Sequence, residues 1–252
     1  MKNLSKHNFF ICATEQSGDN LGKNILEKLK NNNISLSFDG VGGSKMLPLM
    51  NNQYYSLQDF KSIGLIEIIT SLKKYISMIN ELSRLIIQNQ YDAVITIDSP
   101  DFNYPLAKKI RKKGYKGKII QIVAPTVWAW RKYRSKQFSK VFDKMLTLFP
   151  FENIYFQKYN LNTTCIGHPI YYIKNSSKLN NQNKYIAFLP GSRLGEVKSL
   201  IKYFKLASEY LENISSSLQI FIPTLPHLYN EIIFLTKNWN TKPRIITDKV
   251  IC

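Results

Sequence analysis

Short apolar runs without polar alternation recur along this chain, and stretches with helical spacing separate them. A strand that is apolar at every position must be covered on both faces, which is typical of parallel sheets. Helices that connect parallel strands provide this cover. The sequence therefore predicts an α/β fold with parallel sheets, with strands at 9–14, 36–43, 92–98, 118–125, 144–150, 163–169, 185–190, 218–224 and 243–248.

Apolar residues at helical spacing predict the helices that connect these strands. The first runs through Leu21 and Leu29, and Ser17 or Asp19 is its candidate cap. The other predicted helices are 65–88, 104–113, 132–142, 153–159, 195–211 and 227–237.

The polar stretch NSSKLNNQNK (175–184) interrupts this alternation and is typical of a linker. It separates a predicted N-terminal domain, 1–174, from a partial C-terminal domain, 185–252. The first set of strands is complete, whereas the second has three strands before Cys252. We therefore expect either an unusually small second domain or a chain truncated at its C-terminus.

Basic residues dominate the charge: 35 Lys and Arg stand against 17 Asp and Glu, for a net charge of +18. Between Phe102 and Phe142 there are twelve basic residues and no acid. Such charge favours nucleic acid, an anionic membrane surface or phosphorylated substrates as partners. The alternative is a lysine-rich composition without a specific partner, in which the lysines only keep the surface solvated; it explains the same net charge.

The chain has three cysteines, Cys12, Cys165 and Cys252, and no CxxC motif. This number and spacing argue against a disulfide framework and against a zinc site, and they favour a reducing compartment. No uncharged apolar stretch reaches the ~18 residues of a membrane-spanning helix. The N-terminal apolar run lacks a small-residue cleavage site, so we interpret it as a first strand and not a signal peptide.

Unusual segments follow the predicted strands at their C-terminal ends. They are TEQSGD, GVGG, DSPDFN, APTVWAWR, GHP and PGSR. Because ligands of parallel α/β sheets bind outside the carboxyl ends of the strands, this coincidence predicts a functional cleft there.

Two carboxylates, Asp98 and Asp101, flank Pro100 at the end of strand 92–98. A carboxylate at the mouth of a strand serves as a general base when it reaches the proton. Asp98 is the first candidate, Asp101 the second and Glu15 a weaker third. Asp101 equally fits the role of a cap for the next helix.

The segment PGSRLGEV (190–197) reads as a strand-to-helix turn. Backbone N–H groups at a helix N-terminus and the fork of Arg193 suit a phosphate group. The segment lacks the full P-loop and GxGxxG patterns, so a purely structural turn is an equal interpretation.

The stretch 62–79 has a broad apolar surface with Lys61, Lys73 and Lys74 beside it. An apolar helix face rimmed with lysine is typical of a helix that lies in a membrane interface. A buried amphipathic helix explains the same pattern. The candidate membrane- and acyl-contacting residues are Ile63, Leu65, Ile66, Ile68, Ile69, Leu72 and Ile76.

Taken together, these motifs resemble those of the lipid-A-disaccharide synthases, which are glycosyltransferases of the GT-B fold. The resemblance covers residues 9 to 200, and IDSPDFN and VWAWR are its most diagnostic parts. It implies two Rossmann-like domains with parallel sheets, the second incomplete. The matching stretches, in the order of the family, are EQSGDNLG, FDGVGGSKM, SIGLIEII, IDSPDFN, APTVWAWR, LFPFE, IGHP and LPGSRLGEV.

The resemblance implies a reaction between UDP-2,3-diacylglucosamine and 2,3-diacylglucosamine 1-phosphate that inverts the anomeric carbon and releases UDP. It implies no metal, no cofactor and no nucleic acid, and a peripheral location on the cytoplasmic face of a Gram-negative inner membrane. Asp98 would take the acceptor proton, and the PGSR turn would stabilise the departing diphosphate. The residues expected at substrate or UDP are Ser17, Gly18, Asn103, Trp128, Arg131, His168, Gly191, Ser192, Arg193 and Glu196.

Three other interpretations stay open. Another GT-B sugar transferase or a nucleotide-sugar epimerase would share the two-sheet plan but lack IDSPDFN together with VWAWR. A nucleic-acid-binding protein fits the net charge of +18, although we find no recognised binding motif. A non-catalytic remnant is the third, because the family's second domain normally continues after a strand like PRIITD through a Ser-Gly-Thr-containing segment.

Overall fold

The computed structural model describes residues 7–31, 35–60, 67–172, 185–214 and 218–247, without the side chains of 67–71 and 172. The chain divides into two compact units, Met1–Tyr171 and Tyr172–Cys252. The predicted linker, 175–184, lies outside the described residues, and the predicted domain bounds stay a prediction.

The first unit is built on a seven-stranded sheet with the strand order β3-β2-β1-β4-β5-β6-β7. Every neighbouring pair in it is parallel, which confirms the predicted α/β class. Its strands are β1 (His7–Ala13), β2 (Leu36–Gly42), β3 (Asn52–Ser56), β4 (Ala93–Ile97), β5 (Lys118–Ile122), β6 (Lys144–Thr147) and β7 (Asn162–Cys165).

The connections between these strands are mostly helical. Short 3₁₀ turns at Leu47–Leu49, Leu57–Phe60, Pro150–Glu152 and Pro169–Tyr172 complete them. The described helices of this unit are α1 (Gln16–Lys30), α2 (Glu67–Asn89), α3 (Pro100–Lys112), α4 (Arg134–Ser139) and α5 (Asn153–Gln157).

Both faces of the sheet are covered, as the apolar strands require. Successive residues of a strand point to opposite faces. Phe10 of β1 therefore belongs to one core, with Leu82 of α2 and Leu106 of α3. Its neighbour Ile11 belongs to the other core, with Leu26 of α1.

The second unit contains a three-stranded parallel sheet with the order β10-β9-β8. Val197, Ile222, Ile232 and Trp239 form part of its core. Its described elements are β8 (Tyr185–Ala187), α6 (Leu194–Ile214), β9 (Gln219–Pro223), α7 (Tyr229–Thr236) and β10 (Arg244–Ile246), with a 3₁₀ turn at Pro226–Leu228.

Several strands end earlier than predicted, among them β8 at Ala187, and three further elements differ for a local reason. Strand β3, with the sequence NQYYS, was not predicted, because a partly exposed edge strand needs no apolar run. Helix α3 begins at Pro100, earlier than the predicted 104–113, since proline suits the first helical position. Helix α4 covers only part of the predicted 132–142.

Candidate active site

The topology of the first sheet creates a switch point between β1 and β4. These strands are neighbours, but the chain leaves β1 towards β2 and leaves β4 towards β5. Ligands of open α/β sheets bind in the crevice that forms outside the strand ends at such a point. The segments that border this crevice are TEQSG (14–18) and DSPD (98–101), both predicted from sequence.

Two side-chain hydrogen bonds connect these segments across the switch point. Ser17 Oγ donates to Asp98 Oδ2 at 2.9 Å, and Ser99 Oγ donates to Glu15 Oε1 at 3.1 Å. Asp98 is partly buried, while Glu15 and Ser17 are exposed. Among the described residues, no donor pairs with Asp98 Oδ1. The structure thus brings together three of the predicted residues and leaves one carboxylate oxygen available.

The backbone that presents Asp98 is unusual. Asp98 and Ser99 both have left-handed conformations, with φ of 55° and 42°. Val123, at the end of the neighbouring strand β5, has φ of 72°, which is rare for a β-branched residue. Such conformations cost about 1 to 3 kcal/mol each and are typical of functional sites. Surrounding interactions must therefore hold this turn in place.

A buried glutamine supplies much of this support. Gln121 Nε2 lies 3.1 Å from each of the carbonyl oxygens of Asp98, Ile122 and Val123. Its Oε1 accepts a hydrogen bond from Thr96 Oγ1 at 2.6 Å. Gln121 is fully buried. Gln121 is not among the residues predicted from sequence, although a glutamine inside the apolar run KIIQIVAP is a signal for such a role.

Asn103 has a similar structural task. It is fully buried, and its Nδ2 donates to the carbonyl oxygens of Asp98 at 2.8 Å and Ile97 at 3.3 Å. Its Oδ1 is buried without a partner among the described residues. The sequence predicted Asn103 at the substrate, whereas the structure places its amide beneath the turn that carries Asp98.

Helix α1 approaches the strands closely at Gly18. A Cβ atom there would lie 3.2 Å from Ala13 Cβ and 3.4 Å from the Ile97 carbonyl oxygen. Glycine at this position therefore brings the start of α1 against β1 and β4, next to the crevice.

The predicted cap of α1 is wrong for both candidates. The N-cap residue is Glu15, and no side chain caps the helix. Ser17 bonds to Asp98 instead. The buried Asp19 carboxylate accepts backbone N–H groups of the loop after β2, from Gly43 at 2.7 Å and from Met46 at 3.1 Å. The GVGG segment is thus tied to α1.

Asp101 lies in a different environment from Asp98. Its side chain is 74% exposed, and its Oδ1 forms ion pairs with Arg131, at 3.4 Å, and with Arg134. The Arg131 guanidinium lies 4.0 Å from the ring centroid of Trp130. Ser99 is the N-cap residue of α3, without a side-chain cap bond, so the alternative role of Asp101 as a cap is wrong.

Aromatic residues connect the ends of β5, β6 and β7. Trp128 contacts Phe151 edge to face, with ring centroids 5.6 Å apart. Phe149 stacks on both Phe151, at 5.7 Å, and His168, at 5.5 Å. His168 Nδ1 accepts the backbone N–H of Ile170 at 3.2 Å. Two phenylalanines of the LFPFE motif thus connect the predicted residues Trp128 and His168 in one row of aromatic rings.

The PGSR turn lies in the second unit, where Gly191 has φ of 96°. Glu196 Oε2 accepts the backbone N–H groups of Ser192 at 3.0 Å and Arg193 at 3.3 Å. The Arg193 guanidinium pairs with the same carboxylate at 3.6 Å. The donors of this turn therefore converge on an anionic group, and that group is a side chain of the protein.

The predicted membrane-contacting residues are described only in part. Ile63, Leu65 and Ile66 lie outside the described residues, and Ile68 and Ile69 belong to α2 without described side chains. The other two are exposed, Leu72 at 59% and Ile76 at 51%.

The described residues provide neither a metal-binding cluster nor a membrane-spanning helix. They contain no cluster of three or more His, Cys, Asp or Glu side chains that would hold a metal ion. They also contain no helix of the length and apolarity needed to cross a bilayer.

The two parallel sheets and the switch point between β1 and β4 define an α/β protein of the GT-B fold. Solved structures agree with the fold. A UDP-GlcNAc 2-epimerase from Neisseria meningitidis bound to UDP-GlcNAc matches with a TM-score of 0.63 at 11% identity, over 98% of this chain and 73% of that one. An S. aureus MnaA-UDP co-structure matches with a TM-score of 0.64 at 12% identity, over 98% and 70%.

Sequence comparison identifies the family. The model of the lipid-A-disaccharide synthetase family matches residues 9–248, so the chain belongs to this family. A lipid-A-disaccharide synthase of Rickettsia typhi is 36% identical over 234 residues, covering 89% of this chain and 61% of the relative. One of Saccharophagus degradans is 35% identical over 225 residues, covering 84% and 58%. The chain thus spans about three fifths of the length of these relatives.

Proposed function

We propose that this chain transfers a diacylglucosaminyl group from UDP-2,3-diacylglucosamine to 2,3-diacylglucosamine 1-phosphate, giving a lipid A disaccharide 1-phosphate and UDP. The observation that carries the proposal is the Asp98 carboxylate at the switch point, with one oxygen bonded to Ser17 and the other unpartnered among the described residues. Membership of the lipid-A-disaccharide synthase family supports the substrate class.

In the proposed reaction the acceptor 6-hydroxyl attacks the anomeric carbon of the donor on the face opposite UDP. The new C–O bond forms as the bond to the diphosphate breaks, so the configuration inverts. Asp98 accepts the hydroxyl proton, and UDP leaves with the bonding electrons. Ser17 orients the base through its hydrogen bond to Asp98 Oδ2.

Asp101 is the weaker candidate for the base. Two guanidinium groups already occupy its Oδ1, and a proton acceptor needs an oxygen that faces the substrate hydroxyl. The Glu15 carboxylate accepts a hydrogen bond from Ser99 Oγ across the crevice. Burial raises the pKa of Tyr75, and the negative charge of Glu15 raises it further. We assign Glu15 a role in shaping the crevice rather than in proton transfer.

The departing UDP needs stabilisation of negative charge, which we assign to the PGSR turn. Ser192 and Arg193 direct backbone N–H groups at the Glu196 carboxylate, and Arg193 adds its guanidinium. A diphosphate offers the same kind of acceptor oxygens with more charge, so we infer that it displaces Glu196 from these donors. Gly191 permits the left-handed turn that this arrangement needs.

We also propose that the chain binds the cytoplasmic face of the inner membrane peripherally through the start of α2. The exposed Leu72 and Ile76 lie there beside the exposed Lys73 and Lys74. Apolar side chains enter the interface while lysines contact anionic headgroups. This placement would bring the enzyme to its acylated substrates.

The experiment that tests the reaction is a measurement of UDP release from both substrates by the wild-type chain and by Asp98→Asn. This substitution preserves shape and removes the base, so we expect release to fall by about 100-fold or more. Glu27→Gln, which changes a surface carboxylate paired with Lys23, is the matched control and should leave release unchanged. Equal release by Asp98→Asn and wild type would refute the role of Asp98, and no release by wild type would refute the activity.

A further inference from the structure

Two shallow cavities lie beside Asp101, and neither has a role in the reaction proposed above. They share Pro100, Asp101 and Arg134. Thr126, Trp130 and Arg131 line the first cavity. Tyr104 and Gln137 line the second. The guanidinium groups of Arg131 and Arg134 therefore face concave surface at the C-terminal edge of the sheet.

The charges at this place are not balanced. The side chain of Arg134 is only 14% exposed and that of Arg131 is 37% exposed, whereas the Asp101 carboxylate that pairs with both is 74% exposed. A largely buried guanidinium needs an anionic partner. Among the described residues, Asp101 is the acid that pairs with these two arginines, so the cluster has a net charge of +1.

A phosphomonoester fits this cluster better than a carboxylate does. It carries a charge of about −1.5 to −2 at neutral pH and three acceptor oxygens. It would neutralise both arginines and accept hydrogen bonds from both forks. Thr126 adds a further donor, because Trp130 Nε1 donates to its Oγ1 at 3.2 Å and leaves the hydroxyl hydrogen available.

We propose that Arg131 and Arg134 form a phosphomonoester-binding site that recognises the phosphate group of the acceptor sugar. Asp101 holds the two guanidinium groups in place until the phosphate displaces its carboxylate. The inference rests on the proposed function, because it identifies which substrate this side of the crevice receives. Asp101 lies in the first turn of α3, directly after the segment that carries Asp98. A phosphate bound there would place the acceptor sugar beside the proposed base.

The test is an equilibrium binding measurement by calorimetry on the full chain, in neutral detergent micelles. The probes are 2,3-diacylglucosamine 1-phosphate and 2,3-diacylglucosamine without the phosphate, so the acyl chains are matched. We expect wild type to prefer the phosphorylated probe by on the order of 10-fold to 100-fold, the effect of losing charge-assisted hydrogen bonds. Arg134→Gln and Arg131→Gln should each reduce this preference to within about 3-fold.

Lys136→Gln is the matched control, because Lys136 is an exposed cation on the same helix and should keep the wild-type preference. Asp101→Asn separates the proposal from a purely structural ion pair. Removal of the competing carboxylate should strengthen binding of the phosphorylated probe several-fold, whereas loss of a structural tie would weaken it. Equal binding of both probes by wild type, or an unchanged preference in both arginine variants, would overturn the proposal.

UDP release by the same proteins distinguishes the two proposals. A preference for the phosphorylated probe without UDP release would support the phosphate site and refute the synthase activity. UDP release that is equally fast with both acceptors, together with equal binding of both probes, would support the activity and refute the phosphate site.

Discussion

Asp98 illustrates how a single residue depends on its neighbours for its conformation. It directly follows the fully buried strand β4, and it takes a left-handed conformation that only other groups can stabilise. Gln121 and Asn103 both donate to its carbonyl oxygen, at 3.1 Å and 2.8 Å. If Asp98 is the proposed base, neither amide needs to touch a substrate to affect the reaction, because both hold the backbone that carries the Asp98 side chain.

Replacement of Gln121 by leucine tests this positioning role. The substitution leaves the carbonyl oxygens of Asp98 and Val123 without the Nε2 donor and should cost about 1 to 3 kcal/mol of stability. We expect kcat for UDP release to fall on the order of 10-fold, while KM changes little, because a misplaced base affects the reacting state. Ser83→Ala, which removes a buried hydroxyl in α2, should lower stability without this loss. Parallel losses in both variants would show that Gln121 only stabilises the fold.

At the scale of elements, the pairing of β1 with β2 depends on one glycine. Gly40 has φ of 149°, and a Cβ atom there would lie 1.9 Å from the carbonyl oxygen of Ile11. Gly40→Ala should therefore destabilise the chain by more than about 3 kcal/mol in urea denaturation. Gly114→Ala, with φ of 88° but open space around it, should cost about 1 to 2 kcal/mol. Gly195→Ala meets nothing within 4 Å and should be close to neutral, and equal effects at all three positions would contradict this account.

Helix α2 has two different faces, a buried one with Met78, Leu82 and Ile86 and an exposed one with Leu72 and Ile76. If the exposed face enters a membrane, Leu72→Ser combined with Ile76→Ser should reduce partition to anionic vesicles by about 10-fold or more, measured by sedimentation. Ile154→Ser combined with Ile170→Ser changes two residues that are each 61% exposed elsewhere and should have little effect. Unchanged partition of the α2 variant would show that Leu72 and Ile76 do not contribute to membrane binding.

At the scale of the whole molecule, two buried phenols, Tyr91 and Tyr115, and one partly buried phenol, Tyr55, predict how stability depends on pH. Burial raises the pKa of Tyr115 to about 12, and burial with a hydrogen bond to Glu81 raises that of Tyr55 to about 12. Burial also raises the pKa of Tyr91. An unfolded tyrosine titrates near pH ~10, so the folded state retains these protons longer. The free energy of unfolding should stay level up to pH ~10 and decrease as the pH rises from there towards 12.

Urea denaturation at several pH values up to 11 measures this dependence. Tyr115→Phe should flatten the decrease above pH ~10, because the buried phenol no longer ionises on unfolding. Tyr171→Phe, at a side chain that is 76% exposed, should leave the decrease as in wild type. The same slope in Tyr115→Phe and wild type would show that this phenol does not contribute.

Much of the fold follows from local patterns. The apolar run DAVITID predicts strand β4, and the structure buries all five residues of that strand. The parallel class follows from the need to cover both of its faces. Strand β3 escaped prediction because its stability comes from pairing with β2 at the sheet edge and not from an apolar run. Helix α4 is shorter than its pattern because the chain on either side of it forms hydrogen-bonded turns, in which Arg134 N–H donates to the Arg131 carbonyl oxygen and Val141 N–H donates to that of Phe138.

The sequence by itself determined the parallel α/β class, the family and the segments that border the crevice, because these depend on local periodicity and on motifs contiguous in the chain. The tertiary structure alone decided the strand order, the bonds from Ser17 to Asp98 and from Ser99 to Glu15, the support by Gln121, and the pairing of Asp101 with Arg131 and Arg134. The physical reason is separation. Ser17 and Asp98 are 81 positions apart, and only the adjacency of β1 and β4 brings them within hydrogen-bonding distance.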